Sequence, residues 1–235
     1  MRIALCFCGI VGGVKGKDGK GVDIDPAIGA ESWQKHFIKQ NDNVDVFFHT
    51  WSVEHKEQLL KLYQPKKHIV ETQKDFPNIK KSSPSWRAHS RWYSSQKAIQ
   101  LKKKYETENN FVYDAVIISR FDMLWFRNVN LKAYDLKYWY ASHWNDSSTK
   151  KTKYRANRNN YFVGRGFMDL WFFSNSQNMD KFGKLYDTIS KYKESPHISS
   201  YQHVARCIGR RKIRYTMFRW FDYEIARRKV FATNE

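Results

Sequence analysis

An α/β fold built from βαβ units around a parallel sheet is what this sequence predicts, and three observations carry the reading. Short apolar runs recur through the first half, at Ile3 to Cys8, Val44 to Thr50, His68 to Thr72 and Asp114 to Ser119. Segments of helical periodicity separate them. The last run is continuously apolar from Ala115 to Ile118 and ends in polar residues, the pattern of a strand covered on both faces. In such folds ligands bind at the carboxyl ends of the strands, which locates the search for a site.

Taken in order, Ile3 to Cys8 is the first strand. Almost no basic residue precedes it, and Val14 runs straight into Lys15, Gly16, Lys17 and Asp18, so the segment reads as strand and loop rather than as a signal peptide. Asp25 followed by Pro26 places an N-cap before a proline at the first helical position and opens a helix carrying Ile28, Trp33, Phe37 and Ile38. After the Val44 strand, Ser52 is expected to cap a second helix that carries Leu59, Leu60 and Tyr63 and stops before Pro65. A third helix starts after Pro84 and runs to about Asn109. On it Ala88, Trp92, Ser95 and Ile99 form one packing stripe, and Arg87, Arg91 and Ser94 form a polar stripe beside it.

The second half reads differently. Tyr138 to His143 is a strand, 144 to 160 is a polar basic loop, and Leu170 to Ser174 is another strand. The loop is longer than most connections in compact domains and is therefore expected to be mobile or functional. A capped helix begins near Asn175 and carries Met179, Phe182, Leu185 and Ile189. There is no internal repeat.

At 235 residues one domain is sufficient, and with nine Trp, fourteen Tyr and sixteen Phe it has ample apolar surface to bury. Cys6, Cys8 and Cys207 cannot build a disulfide framework and read as buried thiols of a reducing compartment. No apolar run approaches the roughly 20 residues of a membrane helix, so a soluble or peripheral cytoplasmic protein is expected.

The net charge of +19 calls for an anionic partner: a nucleotide, a nucleic acid or an anionic membrane surface. The densest basic run is C-terminal, with Arg206, Arg210, Arg211, Lys212, Arg214, Arg219, Arg227, Arg228 and Lys229. It reads equally as a solvated face or as a surface for membrane contact or substrate steering. Zinc spacing, an RNP-like motif and a helix-turn-helix signature are all missing, which counts against a nucleic-acid partner.

The most informative segment is Tyr113 to Asp122, a strand that delivers Asp122 to the carboxyl edge of the sheet. Enzymes that use nucleotide sugars need a carboxylate there to hold Mg²⁺ or Mn²⁺ against the diphosphate. An Asp in that position also serves commonly as a turn or cap residue. On the third helix Arg87, Arg91 and Ser94 project together and could be aimed at phosphates, or form a solvated basic stripe.

Val44-Asp45-Val46-Phe47-Phe48-His49-Thr50-Trp51 resembles the "DVFxHTW" strand of a group of GT-A glycosyltransferases of bacteria, phages and large DNA viruses. Arg120-Phe121-Asp122 matches the "R-x-D" that ends the metal strand in that group, and Tyr93-Ser94 is similar to a pair on the preceding helix; the likeness spans roughly residues 1 to 190. The resemblance implies a GT-A, Rossmann-like fold: a mixed, mostly parallel sheet flanked by helices, with a nucleotide-sugar half over 1–122 and an acceptor half over 123–235. It implies transfer of a sugar from a nucleotide diphosphate sugar to a glycan hydroxyl, in the host cytoplasm if the protein is viral.

By that resemblance Cys8, Gly9 and Ile10 would lie against the nucleotide with their backbone amides, and Thr50 and Trp51 would touch base or ribose. Each has a plain alternative as strand exit or packing. Gly164-Arg165-Gly166 followed by Asp169 is similar to the acceptor loop with its general base, and Asp169 could instead pair with a nearby Arg. His203 is similar in placement to a C-terminal metal-ligating His. The departure is Arg120, which stands where most members have the first Asp of Asp-x-Asp; it would pair with Asp122 or bind the diphosphate bidentately. Two other readings stay open: a nucleic-acid-binding protein, and a nucleotide-binding relative without transfer activity.

Overall fold

A computed structural model describes residues 1–11, 24–143, 166–217, 219 and 221–226. The loop 144–160, Gly164, Arg165 and the basic residues Arg227, Arg228 and Lys229 lie outside them.

The protein has an α/β, Rossmann-like fold. Its central strand β1 (Ile3–Gly9) runs parallel to β2 (Val44–Thr50) on one side and to β4 (Ala115–Ser119) on the other. Beyond β2 lies β3 (Lys67–Val70), also parallel. Beyond β4 the direction reverses: β7 (Phe167–Ser174) is antiparallel to β4, and β6 (Trp139–His143) is antiparallel to β7. Strand β8 (Ile213–Tyr215) closes that edge parallel to β6, giving the order β3-β2-β1-β4-β7-β6-β8. A two-stranded sheet pairs β5 (Met123–Trp125) with β9 (Tyr223–Ile225).

Strand period fixes the layers. Ile3, Leu5 and Phe7 face α1 (Pro26–His36) and α2 (Lys56–Tyr63), packing with Trp33, Phe37, Leu59 and Tyr63. Ala4, Cys6 and Cys8 face the opposite way, toward α3 (Pro84–Glu108) and α4 (Ser176–Phe182), with Trp92, Ile99, Met179 and Phe182. Because both faces are covered, the strands are apolar from Ile3 to Cys8 and from Ala115 to Ile118. The stripe Ala88, Trp92, Ser95 and Ile99 is buried as its spacing predicts.

Helix starts follow the sequence closely. Asp25 caps α1 through its bond from the Ala27 amide, and Ser83 caps α3 through the Trp86 amide. Ser52 does not cap α2: a 3₁₀ turn (Val53–His55) intervenes, and the Ser52 hydroxyl accepts the Val11 amide at 3.1 Å instead. The helix after Asn175 also ends earlier than its periodicity predicts, at Phe182. A separate 3₁₀ turn (Tyr186–Lys191) then carries Ile189 into the core.

The register sets the stage for the site. Gly9 pairs with Thr50 and Phe7 with Ser119, so the carboxyl ends of β2, β1 and β4 lie side by side. Ser119 pairs with Trp171, so antiparallel β7 carries Phe167 to Leu170 past the end of β4. Asp169 therefore stands at the carboxyl edge although it belongs to the start of its strand. A Cβ on Gly29 of α1 would overlap the Phe121 carbonyl, so a glycine there lets the helix close against the turn that carries Asp122.

Candidate functional site

The carboxyl edge gathers Cys8, Gly9, Arg91, Ser94, Arg120, Asp122 and Asp169, with Thr50 and Trp51 beside them. The details differ from what the sequence predicts at several of these positions.

Gly9 has φ +96°, a conformation that L side chains rarely adopt, and nothing occupies the space where a Cβ would stand. Its amide is not left for a nucleotide. It donates to Ser94 Oγ at 2.7 Å, while its carbonyl accepts the Trp51 amide at 3.2 Å. The Ser94 hydroxyl also meets His49 Nδ1 at 2.7 Å, and His49 Nε2 meets Glu71 Oε1 at 2.9 Å. A carboxylate only accepts, so Nε2 carries the proton and Nδ1 accepts from Ser94.

Glycine amide, serine, histidine and glutamate thus form one relay that ties β1 and β2 to α3. Burial, with the nearby Lys97 charge, outweighs Glu71 and pushes the His49 pKa down, so the imidazole is neutral. Burial opposes the Glu71 charge, but its bonds to His49 and Tyr93 prevail and hold its pKa below the usual value. Although Ser, His and Glu are in line, Ser94 is fully buried and its oxygen is committed to Gly9, so it is no nucleophile.

Thr50 is buried and its hydroxyl accepts the Ser52 amide, which commits it to the turn rather than to a ligand. Trp51 stacks on Tyr93 with centroids 5.4 Å apart, so its ring faces protein. Ile10 is half-buried at the strand exit. The Cys8 thiol is buried and bonds to the Ser119 carbonyl at 3.2 Å.

Arg87 and Arg91 part company. Arg87 is exposed and turns back to the Ser82 carbonyl. Arg91, one turn further along α3, is only 9% exposed, and its hydrogen bonds go to the Cys8 sulfur and to the Asp169 carbonyl oxygen, the latter at 2.9 Å. Neither is a carboxylate, and its Nε makes no hydrogen bond among the described residues. A cation this deep with only neutral acceptors is an anion site in electrostatic terms.

Arg120 grips Asp122 with a fork, Nε to Oδ1 at 2.7 Å and a terminal nitrogen to Oδ2 at 2.6 Å. Burial disfavours the Arg120 charge, Asp122 and then Asp169 favour it, and the net effect holds the guanidinium above its ordinary range. The Asp122 side chain is 0% exposed. Both carboxylate oxygens are therefore spoken for, and the residue as arranged does not offer a face to a divalent ion.

His203 is not brought to Asp122. It sits on α5 (Pro196–Val204), where its Nε2 donates to the Lys181 carbonyl and its Nδ1 accepts the Tyr192 hydroxyl, each at 3.0 Å. With both nitrogens used, it corrects the metal-ligand expectation into a structural role. Among the described residues no group of three His, Cys, Asp or Glu side chains is placed to hold a metal.

Asp169 keeps a partly open carboxylate, 17% exposed, with His197 Nδ1 at 3.4 Å. That nitrogen also bonds the Phe167 carbonyl at 2.9 Å, so it is the protonated one.

Sequence reasoning missed His49, Glu71 and His197. The first follows the apolar residues Val46, Phe47 and Phe48 in its strand, a signal that was present. Glu71 lies in the short run read as a strand and His197 at the start of α5, and nothing local marks either as part of a site.

No protein-family model matches the chain, and no curated protein does. Its site is thus read from geometry alone. Among the described residues no helix is long and apolar enough to cross a membrane.

Proposed function

We propose that this chain is a nucleotide-sugar-dependent glycosyltransferase of the GT-A type, receiving the donor diphosphate at the carboxyl edge of β1 and β4 and passing the sugar to a glycan hydroxyl. Arg91 carries the reading: a buried guanidinium that has no carboxylate partner among the described residues, at the sheet edge where α/β folds bind phosphates, is best completed by an anion. Arg120 lies at the same edge as a second cation. Asp169 faces them from β7, in position to take the proton of an acceptor hydroxyl as its oxygen attacks the anomeric carbon. The bond from that carbon to the diphosphate oxygen breaks, and the leaving charge falls beside the guanidinium groups.

Mn²⁺ or Mg²⁺ is the usual cofactor of such enzymes. Asp122 and His203, as arranged, do not fit it, so no step is routed through a metal.

The test is incubation with UDP-, GDP- and TDP-sugars, following release of nucleoside diphosphate, with Asp169→Asn as the control. Release that Asp169→Asn removes without loss of nucleotide binding supports the reading. The sealed Asp122 favours one rival, a nucleotide-binding relative without transfer. Binding of nucleoside diphosphate with no release from any donor would replace the first reading by that one.

A further inference from the structure

Away from the sheet edge, α4, the 3₁₀ turn Tyr186–Lys191, α5 and a π-helical turn (Ala205–Gly209) surround a cavity of about 370 Å³. Lys181, Lys184, Lys191 and Arg206 stand around it, and among the described residues no carboxylate lines it. Among the described residues none of these four cations is paired with an acid. Like charges gathered at one rim repel, and a polyvalent anion turns that repulsion into attraction.

The remaining walls are built for position rather than charge. His203 and Tyr192 hydrogen-bond to each other, and His203 bonds the Lys181 carbonyl, which locks α5, α4 and the intervening turn together. Burial, followed in the same direction by the Arg206 charge, lowers the His203 pKa, so the imidazole stays neutral and adds nothing to the field. Arg206 is delivered by a π turn, a rare interruption that concentrates at functional sites. The cavity is open to solvent and of small-molecule size, with room for a diphosphate or for a phosphate ester with a small organic body.

We propose that this cavity binds a phosphate ester or diphosphate of at least two negative charges, held by Lys184, Lys191 and Arg206. Such a group belongs either to a soluble phosphorylated molecule or to a lipid headgroup, and Arg210, Arg211 and Lys212, exposed on the adjoining turn, extend the basic surface for the latter. The proposal does not rest on the transferase reading.

Binding of pyrophosphate is measured by calorimetry in the Arg91→Met background, so that the sheet-edge site does not report. Binding to vesicles of phosphatidylcholine, with and without phosphatidylinositol 4-phosphate, is measured by co-sedimentation. Replacing Lys184 and Arg206 together by Gln is expected to weaken whichever probe binds by about tenfold or more, while Lys184→Arg keeps it. The pair Arg210→Gln and Lys212→Gln, the control for diffuse charge, is expected to change pyrophosphate binding by less than about twofold. Pyrophosphate binding without vesicle binding assigns a soluble ligand; vesicle binding that pyrophosphate displaces assigns a headgroup. Binding of neither probe overturns the proposal, as does equal weakening by the two double variants.

Discussion

Replacing Arg91 by Met separates a residue held for ligand from one held for stability. In the ligand-free protein the guanidinium gives the Asp169 carbonyl a charged hydrogen bond, worth about 1.5–3 kcal/mol. Against that stands the desolvation of an ion only 9% exposed and in no ion pair among the described residues, a cost of several kcal/mol. Met keeps the apolar stem and removes both. Stability of the free protein should therefore change by no more than about 2 kcal/mol in either direction, or roughly 4–8 °C in Tm for a chain of this size.

Binding behaves otherwise. A nucleoside diphosphate at about 100 times its Kd stabilises the wild type by about 2.7 kcal/mol. A guanidinium about 4 Å from a phosphate charge contributes roughly 4 kcal/mol at an effective dielectric near 20. Phosphate desolvation leaves about half of that, so a loss of about 10- to 100-fold in affinity is expected. At the same ligand concentration the stabilisation of Arg91→Met falls to about 0.4–1.4 kcal/mol. Thermal unfolding followed by Trp fluorescence, with and without UDP, GDP or TDP, reads both numbers. A variant that loses many degrees when free yet keeps the full ligand shift would refute the assignment.

Three further outcomes follow from the same geometry. Asp122→Ala strips Arg120 of both its bonds and should cost about 3–5 kcal/mol, with nucleotide binding by the wild type unaffected by EDTA; a Mn²⁺-dependent shift that this variant abolishes would contradict the sealed pair. Lys102→Met removes the buried cation that binds Glu106, Asp180 and Ser176, leaving Glu106, among the described residues, only the longer ion pair with Lys103 at 3.7 Å, and should cost about 3 kcal/mol in denaturant unfolding; adding Glu106→Gln should restore part of it, and no recovery would show that packing dominates. His49 and His203 both have folded pKa values pushed below the ordinary 6.5 by burial. The unfolded chain then takes up protons first, so their contribution is complete above about pH 6.5 and is lost as pH falls toward the folded values, at up to about 1.4 kcal/mol per pH unit for each proton. His203→Gln should flatten part of that slope, and a stability flat between pH 7 and 5 would exclude it.

Much of the fold was legible because strands and helices write their period into the chain. Val44–Thr50 matches its expected bounds at both ends, and the α3 stripe packs as spaced. What escaped were β5, β8 and β9, three residues each, too short to show any alternation. The start of β7 at Phe167 also came earlier than its apolar run suggested.

The site was legible by residue and not by role. Arg87 and Arg91 share a helix face one turn apart, but only the second reaches under the sheet edge. Gly9 was expected to turn its amide to a nucleotide, but that amide finds its partner 85 residues away on α3.

Sequence alone, then, determined which faces are covered and that Gly9, Thr50 and Asp122 arrive at the carboxyl edge, since periodicity is a local property of the chain. Only the tertiary structure decided which polar groups are left for a ligand, because every donor and acceptor there competes for partners from distant segments. Ser94 takes the Gly9 amide, Arg120 takes Asp122, and Tyr192 with Lys181 takes His203, while Arg91 meets only neutral acceptors among the described residues.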